Sequence, residues 1–211
     1  MSDAVGDRIA RVIGGVVRQA VDDAGAAGIV VLEPDSPEGR LAMAWSVRVL
    51  GADRVARAEG EPRGAVDPGR ATARRDELRR GIGRVLARER NALLVHPANK
   101  TALLLDPVFP PEPLLPLGDL YATHVQLLAQ EWTGSDGLRE LAERAGGIAA
   151  LDAALADIVE RRQPPERALA QLPEVVRRDI LQRWQAGRFW RRRPGLVPKL
   201  GVRTLGIDLF A

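Results

Sequence analysis

Three short polar runs carry the side chains of this chain best suited to chemistry. Asn99, Lys100 and Thr101 place an amide, an ammonium and a hydroxyl together just after the apolar run Ala92–His96. Pro116-Leu117-Gly118-Asp119-Leu120-Tyr121 sets a carboxylate behind a glycine. Pro34-Asp35-Ser36-Pro37-Glu38-Gly39 follows a second apolar run, Gly28–Leu32, and leads into a helical pattern. Polar groups in such places suit a ligand, because open α/β sheets bind at the carboxyl ends of their strands. Each also has a plain structural reading. Glu38 can ligate a metal or simply open a helix, where the dipole favours an acid. Asp119 can be the N-cap of the helix that follows. Asn99 and Thr101 can touch a nucleotide or cap the turn after the strand. His96 and His124 are read as structural, since spacing names no partner for either.

The elements that must position these residues follow from periodicity. Ile9, Val12, Ile13, Val16, Val17, Ala20 and Val21 repeat at the spacing of one helix face. Gly28–Leu32 is continuously apolar, as in a strand buried on both faces of a parallel sheet. A helix over Leu41–Leu50, with Leu41, Trp45 and Val49 inward, completes a first β-α unit. A second short strand is expected near Arg54–Ala58, then a surface loop over 59–70, rich in glycine and proline. An arginine-rich helix capped by Thr72 leads to the strand Ala92–His96. From Asp119 the pattern turns helical, with helices at Asp119–Trp132, Ser135–Ala145, Ile148–Arg161 and Pro173–Ala186. Five prolines between 107 and 116 make that connection extended or turning. The expectation is one α/β domain over 1–211: a doubly wound parallel sheet flanked by helices, a helical C-terminal half and a basic tail over 188–211.

Composition narrows the chemistry. The 211 residues suffice for one sizeable core, and the absence of cysteine excludes disulfides and thiolate metal sites. With two histidines, a histidine-built zinc site is not expected. The net charge is only +3, and Lys100 and Lys199 are the only lysines, so the basic surface is arginine. The mixed aromatic and basic run Phe189-Trp190-Arg191-Arg192-Arg193 could grip single-stranded nucleic acid. Packing of Trp190 with snorkelling arginines is preferred, so no nucleic-acid partner is expected. The longest apolar run is too short to cross a bilayer, and no signal-like N-terminus precedes it. The expectation is a cytoplasmic protein with no membrane partner.

The motif residues together resemble the NAD synthetase family. That family writes N-K-[TS]-E and P-[LI]-G-D-L-Y-K-T-x-V, where this chain reads Asn99-Lys100-Thr101-Ala102 and Pro116-Leu117-Gly118-Asp119-Leu120-Tyr121-Ala122-Thr123-His124-Val125. The family's S-G-G-x-D-S phosphate loop falls on Pro34–Gly39. Asp35 and Ser36 stand at the glycine positions and Glu38 at the aspartate position. The ending Arg188–Gly195 with Gly201–Asp208 resembles the family's C-terminal motif, whereas its P-P-S-A-x-L segment has no counterpart around Trp132–Gly147.

The resemblance implies a homodimer that binds an adenine nucleotide or dinucleotide. In an active member, ATP and magnesium adenylate deamido-NAD before ammonia displaces AMP. Nucleotide-binding positions would be Ser36, Glu38, Gly39, Asn99, Thr101, Asp119 and Arg191, with Glu38 also the metal candidate. Ala102 replaces the glutamate that supports magnesium, and Ala122 replaces the lysine that neutralises phosphate. Asp35 is expected to face the polyphosphate as a like charge, while Pro34 and Pro37 lack N–H donors. The leading expectation is therefore a catalytically degenerate nucleotide-binding or interaction homologue. The alternatives are an active NAD synthase whose arginines replace the missing cation, and a subunit that works only with an ammonia-supplying partner.

Overall fold

A computed structural model of the chain describes residues 3–58, 71–105, 114–131, 134–187 and 195–201. Among them, strands β1 (Gly28–Val31), β2 (Val55–Arg57) and β3 (Ala92–Val95) form a parallel sheet in the order β2-β1-β3. Ile29 pairs with Val55 and Gly28 with Ala92. Two single-residue bridges extend the sheet beyond β3, Val95 to Leu114 and Leu114 to Leu196, both parallel. Backbone bonds from His96 N–H to the Leu114 carbonyl (3.1 Å) and from Leu115 N–H to the Leu196 carbonyl (2.9 Å) hold these extra rungs.

Helices α1 (Asp3–Asp23) and α2 (Pro37–Leu50) cover one face, and α3 (Ala71–Glu89) covers the other. Side chains alternate across a strand, and the apolar run of β1 serves both faces. Ile29 and Val31 join Ile13, Val17, Val21 and Ala42 in the α1–α2 core. Val30 and Leu32 join Ala87 and Leu94 under α3. The doubly wound parallel sheet expected from the unbroken apolar runs is therefore present.

The remaining helices build a second core. They are α4 (Lys100–Leu105), α5 (Ala122–Ala129), α6 (Asp136–Arg144), α7 (Ile148–Val159), α8 (Pro165–Ala168) and α9 (Glu174–Ala186). Leu104, Leu141, Leu151, Leu155, Leu169 and Ile180 meet there with almost no exposure.

Two boundaries differ from expectation for clear reasons. Helix α2 starts at Pro37 rather than Leu41, because Ser36 caps it and proline suits a first turn. Helix α5 starts at Ala122 rather than Asp119, because the Asp119 side chain is engaged elsewhere and Tyr121 takes the extended N-cap geometry. Of the apolar stripe Ile9–Val21, Ile13, Val17 and Val21 are buried within the chain itself. The loop 59–70, the tail 188–194 with Arg191, residues 202–211 and most of the proline segment lie outside the described residues.

Candidate functional site

The first part of the site is the turn from β1 into α2. Glu33 takes a left-handed φ of 49° and reverses the chain. Ser36 Oγ accepts the Gly39 N–H at 2.9 Å and donates to the Glu33 carbonyl at 2.9 Å. The turn is tight enough that a Cβ at Gly39 would lie 1.9 Å from the Glu33 carbonyl oxygen, so the position requires glycine. Glu38, on the first turn of α2, is only 7% exposed. Its carboxylate accepts its own backbone N–H, the Gly134 N–H and, at 3.4 Å, the Asn99 amide. The positive end of α2 is thus occupied by an anion that the chain supplies itself. Burial raises the Glu38 pKa above its ordinary value, and these hydrogen bonds only partly oppose the shift. Asp35 does not face the site: its side chain is 85% exposed and ion-paired with Arg57.

The second part is a buried polar network behind the Asn99–Thr101 run. Asn99 Oδ1 caps α4 by accepting the Ala102 N–H at 3.0 Å. Lys100 is fully buried. Its Nζ lies 3.0 Å from Asp119 Oδ1 and 2.7 Å from Glu160 Oε1, and 5.0 Å from the centre of the Tyr121 ring. Asp119 Oδ2 accepts the N–H groups of Leu200 (2.6 Å) and Gly201 (2.5 Å), which ties down the C-terminal strap. Thr101 Oγ1 donates to Asp152 Oδ1 at 2.6 Å and accepts the Ala122 N–H at 2.9 Å. Asp152 Oδ2 accepts from the N–H and hydroxyl of Thr123, at 2.7 and 2.6 Å. Burial raises the Asp152 pKa against the pull of these bonds. The Tyr121 hydroxyl donates to Glu160 at 3.2 Å, and burial followed by that carboxylate pushes its pKa up. Ala122 is also fully buried, so a lysine there would have to displace its packing.

Between the two parts lies a pocket of about 280 Å³ at the carboxyl ends of β1 and β3. Glu38, His96, Ala102, Leu138 and Arg183 are among its walls. His96 Nδ1 accepts the Ala98 N–H at 3.1 Å, which places the ring proton on Nε2. Burial, aided by Arg80, lowers the His96 pKa to about 3, so the ring is neutral. Of the sequence candidates, Ser36 and Glu38 line this pocket, Gly39 lies behind Ser36, and Asn99 reaches it through Glu38. Thr101 and Asp119 do not line it and belong to the buried network. Sequence reasoning missed Asp152 and Glu160. The available signal was an acid at 152 between the inward leucines 151 and 155 of an otherwise apolar helix.

An open parallel sheet covered on both faces, with a polar pocket at its carboxyl edge, defines an α/β fold of the nucleotide-binding type. Among solved structures the chain is similar to the NH3-dependent NAD synthetase of Campylobacter jejuni, determined in complex with a nitrate ion. The TM-score is 0.63 at 14% identity, covering 92% of this chain and 98% of that one. It is also similar to the glutamine-dependent NAD+ synthetase of Acinetobacter baumannii in complex with ADP, with a TM-score of 0.44 and 16% identity over 95% of this chain and 48% of that one. No protein-family model and no curated protein matches the chain. The first likeness shows that this chain has an NAD synthetase-like fold.

Among the described residues no group of three or more histidine or carboxylate side chains could hold a metal. Ala102 lines the pocket where the resemblance would put a glutamate, and Glu38 is engaged by N–H donors.

Two measurements test this geometry. Lys100→Met should destabilise the fold by about 3–5 kcal/mol, because it leaves two carboxylates without their shared buried cation. Equilibrium urea unfolding reads this directly, and a loss below about 1 kcal/mol would match an exposed pair instead. Glu38 has a folded pKa raised above its ordinary 4.5, so the stability linked to its protonation is complete below that value. It fades as pH rises through the folded pKa. Glu38→Gln should therefore melt higher than the parent chain at neutral pH, with the difference shrinking as the medium is acidified. A gap that widens toward acid contradicts the assigned burial cost.

Proposed function

We propose that this chain is a catalytically degenerate NAD synthetase homologue, a binding or interaction protein that does not adenylate a carboxylate with ATP. The observation supporting this reading is Glu38, whose carboxylate takes its own N–H in the first turn of α2. Pro37 offers no N–H and the Gly39 N–H is held by Ser36 Oγ, so the first turn has little left for a phosphate. Adenylation depends on cations and metals placed where negative charge develops, and the alanines at 102 and 122 supply neither. The pocket also lies just below the usual range of about 300–1,000 Å³ for drug-sized ligands, which suits a small molecule better than an enclosed dinucleotide.

The same reading makes the protein a cytoplasmic homodimer. No helix among the described residues is long and apolar enough to cross a membrane. Val5 and Val12 of α1 and Leu127 of α5 stay exposed on helices that approach each other, a Cβ at Gly6 lying 3.5 Å from Leu128. A monomer by light scattering at micromolar concentration, or recovery in a membrane pellet, would overturn the respective part.

The decisive assay supplies ATP, magnesium, deamido-NAD and ammonia and measures pyrophosphate. The expected result is no release above a protein-free control, and magnesium-dependent turnover would establish an active synthase. A thermal-shift series with ATP, AMP, deamido-NAD and NAD separates nucleotide binding from a purely structural role, since a ligand of the folded state raises its melting point.

A further inference from the structure

The sign of charge in the pocket points to a ligand class. Glu38 is more than nine-tenths buried, and it forms no salt bridge with any described residue. Buried charges are ordinarily paired. A carboxylate offers about four lone-pair positions, and the Asn99 amide contacts one of its oxygens at 3.4 Å. The carboxylate can accept a further donor, and its charge calls for a cation.

A different helix supplies the opposite sign. Arg183 of α9 lines the same pocket, and its bond to Asp179 at 2.8 Å engages Nε alone. Its Nη groups retain the fork that recognises a carboxylate. Pro97, Ala98, Ala102, Leu105 and Leu138 give the pocket an apolar wall. Glu33 and Asp136 are further acids of the lining and Arg79 a further guanidinium. Charges of both signs and an apolar wall in about 280 Å³ together complement a compact molecule with a cationic end, an anionic end and a hydrocarbon body.

We propose that this pocket binds a free α-amino acid with an apolar side chain, its ammonium on Glu38 and its carboxylate on Arg183. The proposal rests on the reading of the chain as a non-adenylating binding protein and names the ligand class of that site. A phosphate without a metal presents a like charge to Glu38.

Calorimetry and thermal shift on the full chain test it with L-leucine, N-acetyl-L-leucine, L-leucinamide, AMP and magnesium chloride. Leucine should bind, and the acetyl and amide derivatives, each lacking one charge, should bind at least about tenfold more weakly. Glu38→Gln should abolish leucine binding without lowering the melting point of the ligand-free protein. Arg183→Met should weaken leucine while leaving leucinamide unchanged. The proposal fails if leucine, valine and methionine at about 10 mM produce no shift, or if the acetyl derivative binds as well as leucine. It fails equally if magnesium alone gives a shift that Glu38→Gln removes, or if AMP binds in a Glu38-dependent way. None of these results touches the absence of adenylation, which stands or falls on pyrophosphate release.

Discussion

One buried ammonium organises the C-terminal half of this protein. Lys100 Nζ has no exposure and can be accommodated only because Asp119 and Glu160 both reach it. Those two carboxylates come from distant elements, the turn ahead of α5 and the residue that ends α7, so satisfying the charge fixes both against the start of α4. Asp119 then uses its second oxygen to hold the strap at Leu200 and Gly201, and the same strap places Leu196 on the sheet beside Leu114. Asp152 repeats the logic one residue along, joining Thr101 of α4 to the first turn of α5. Apolar contacts alone would tolerate several packings of these short helices. A buried cation with two required partners tolerates far fewer, which is how buried polar groups select one arrangement at a cost in stability.

The fold was largely legible in the sequence and the site only partly, and the reason is the same in both cases. β1 and β3 showed as continuous apolar runs because both of their faces are covered, a property a strand carries in its own residues. Helices α6, α7 and α9 followed from periodicity and fell within a few residues of expectation. What failed were inferences about polar side chains whose partners are remote. Asp119 looked like an N-cap because its neighbours resemble a helix start, and nothing local reveals that Lys100, Leu200 and Gly201 claim its oxygens. Asp35 looked like the charge that would meet a ligand, yet it pairs with Arg57 at the surface while Glu38 turns inward. Within one turn of chain, which acid is buried is a tertiary decision, set here by how closely Gly39 lets the helix approach Glu33.

That decision also governs what the pocket can hold. A helix N-terminus attracts anions because its first N–H groups lack partners and its dipole is positive. In this chain those groups are engaged locally, with the Glu38 N–H on its own carboxylate and the Gly39 N–H on Ser36 Oγ. A phosphate would have to displace that carboxylate and then tolerate it as a buried like charge nearby, two penalties of the same sign. A cation faces neither. The strand, turn and helix belong to an NAD synthetase-like fold, and one inward glutamate places an acid at the turn. The fold therefore persists on apolar packing and the Lys100 network, neither of which involves the pocket's walls at Glu38 and Arg183. The ligand preference can shift with little consequence for the architecture that carries it.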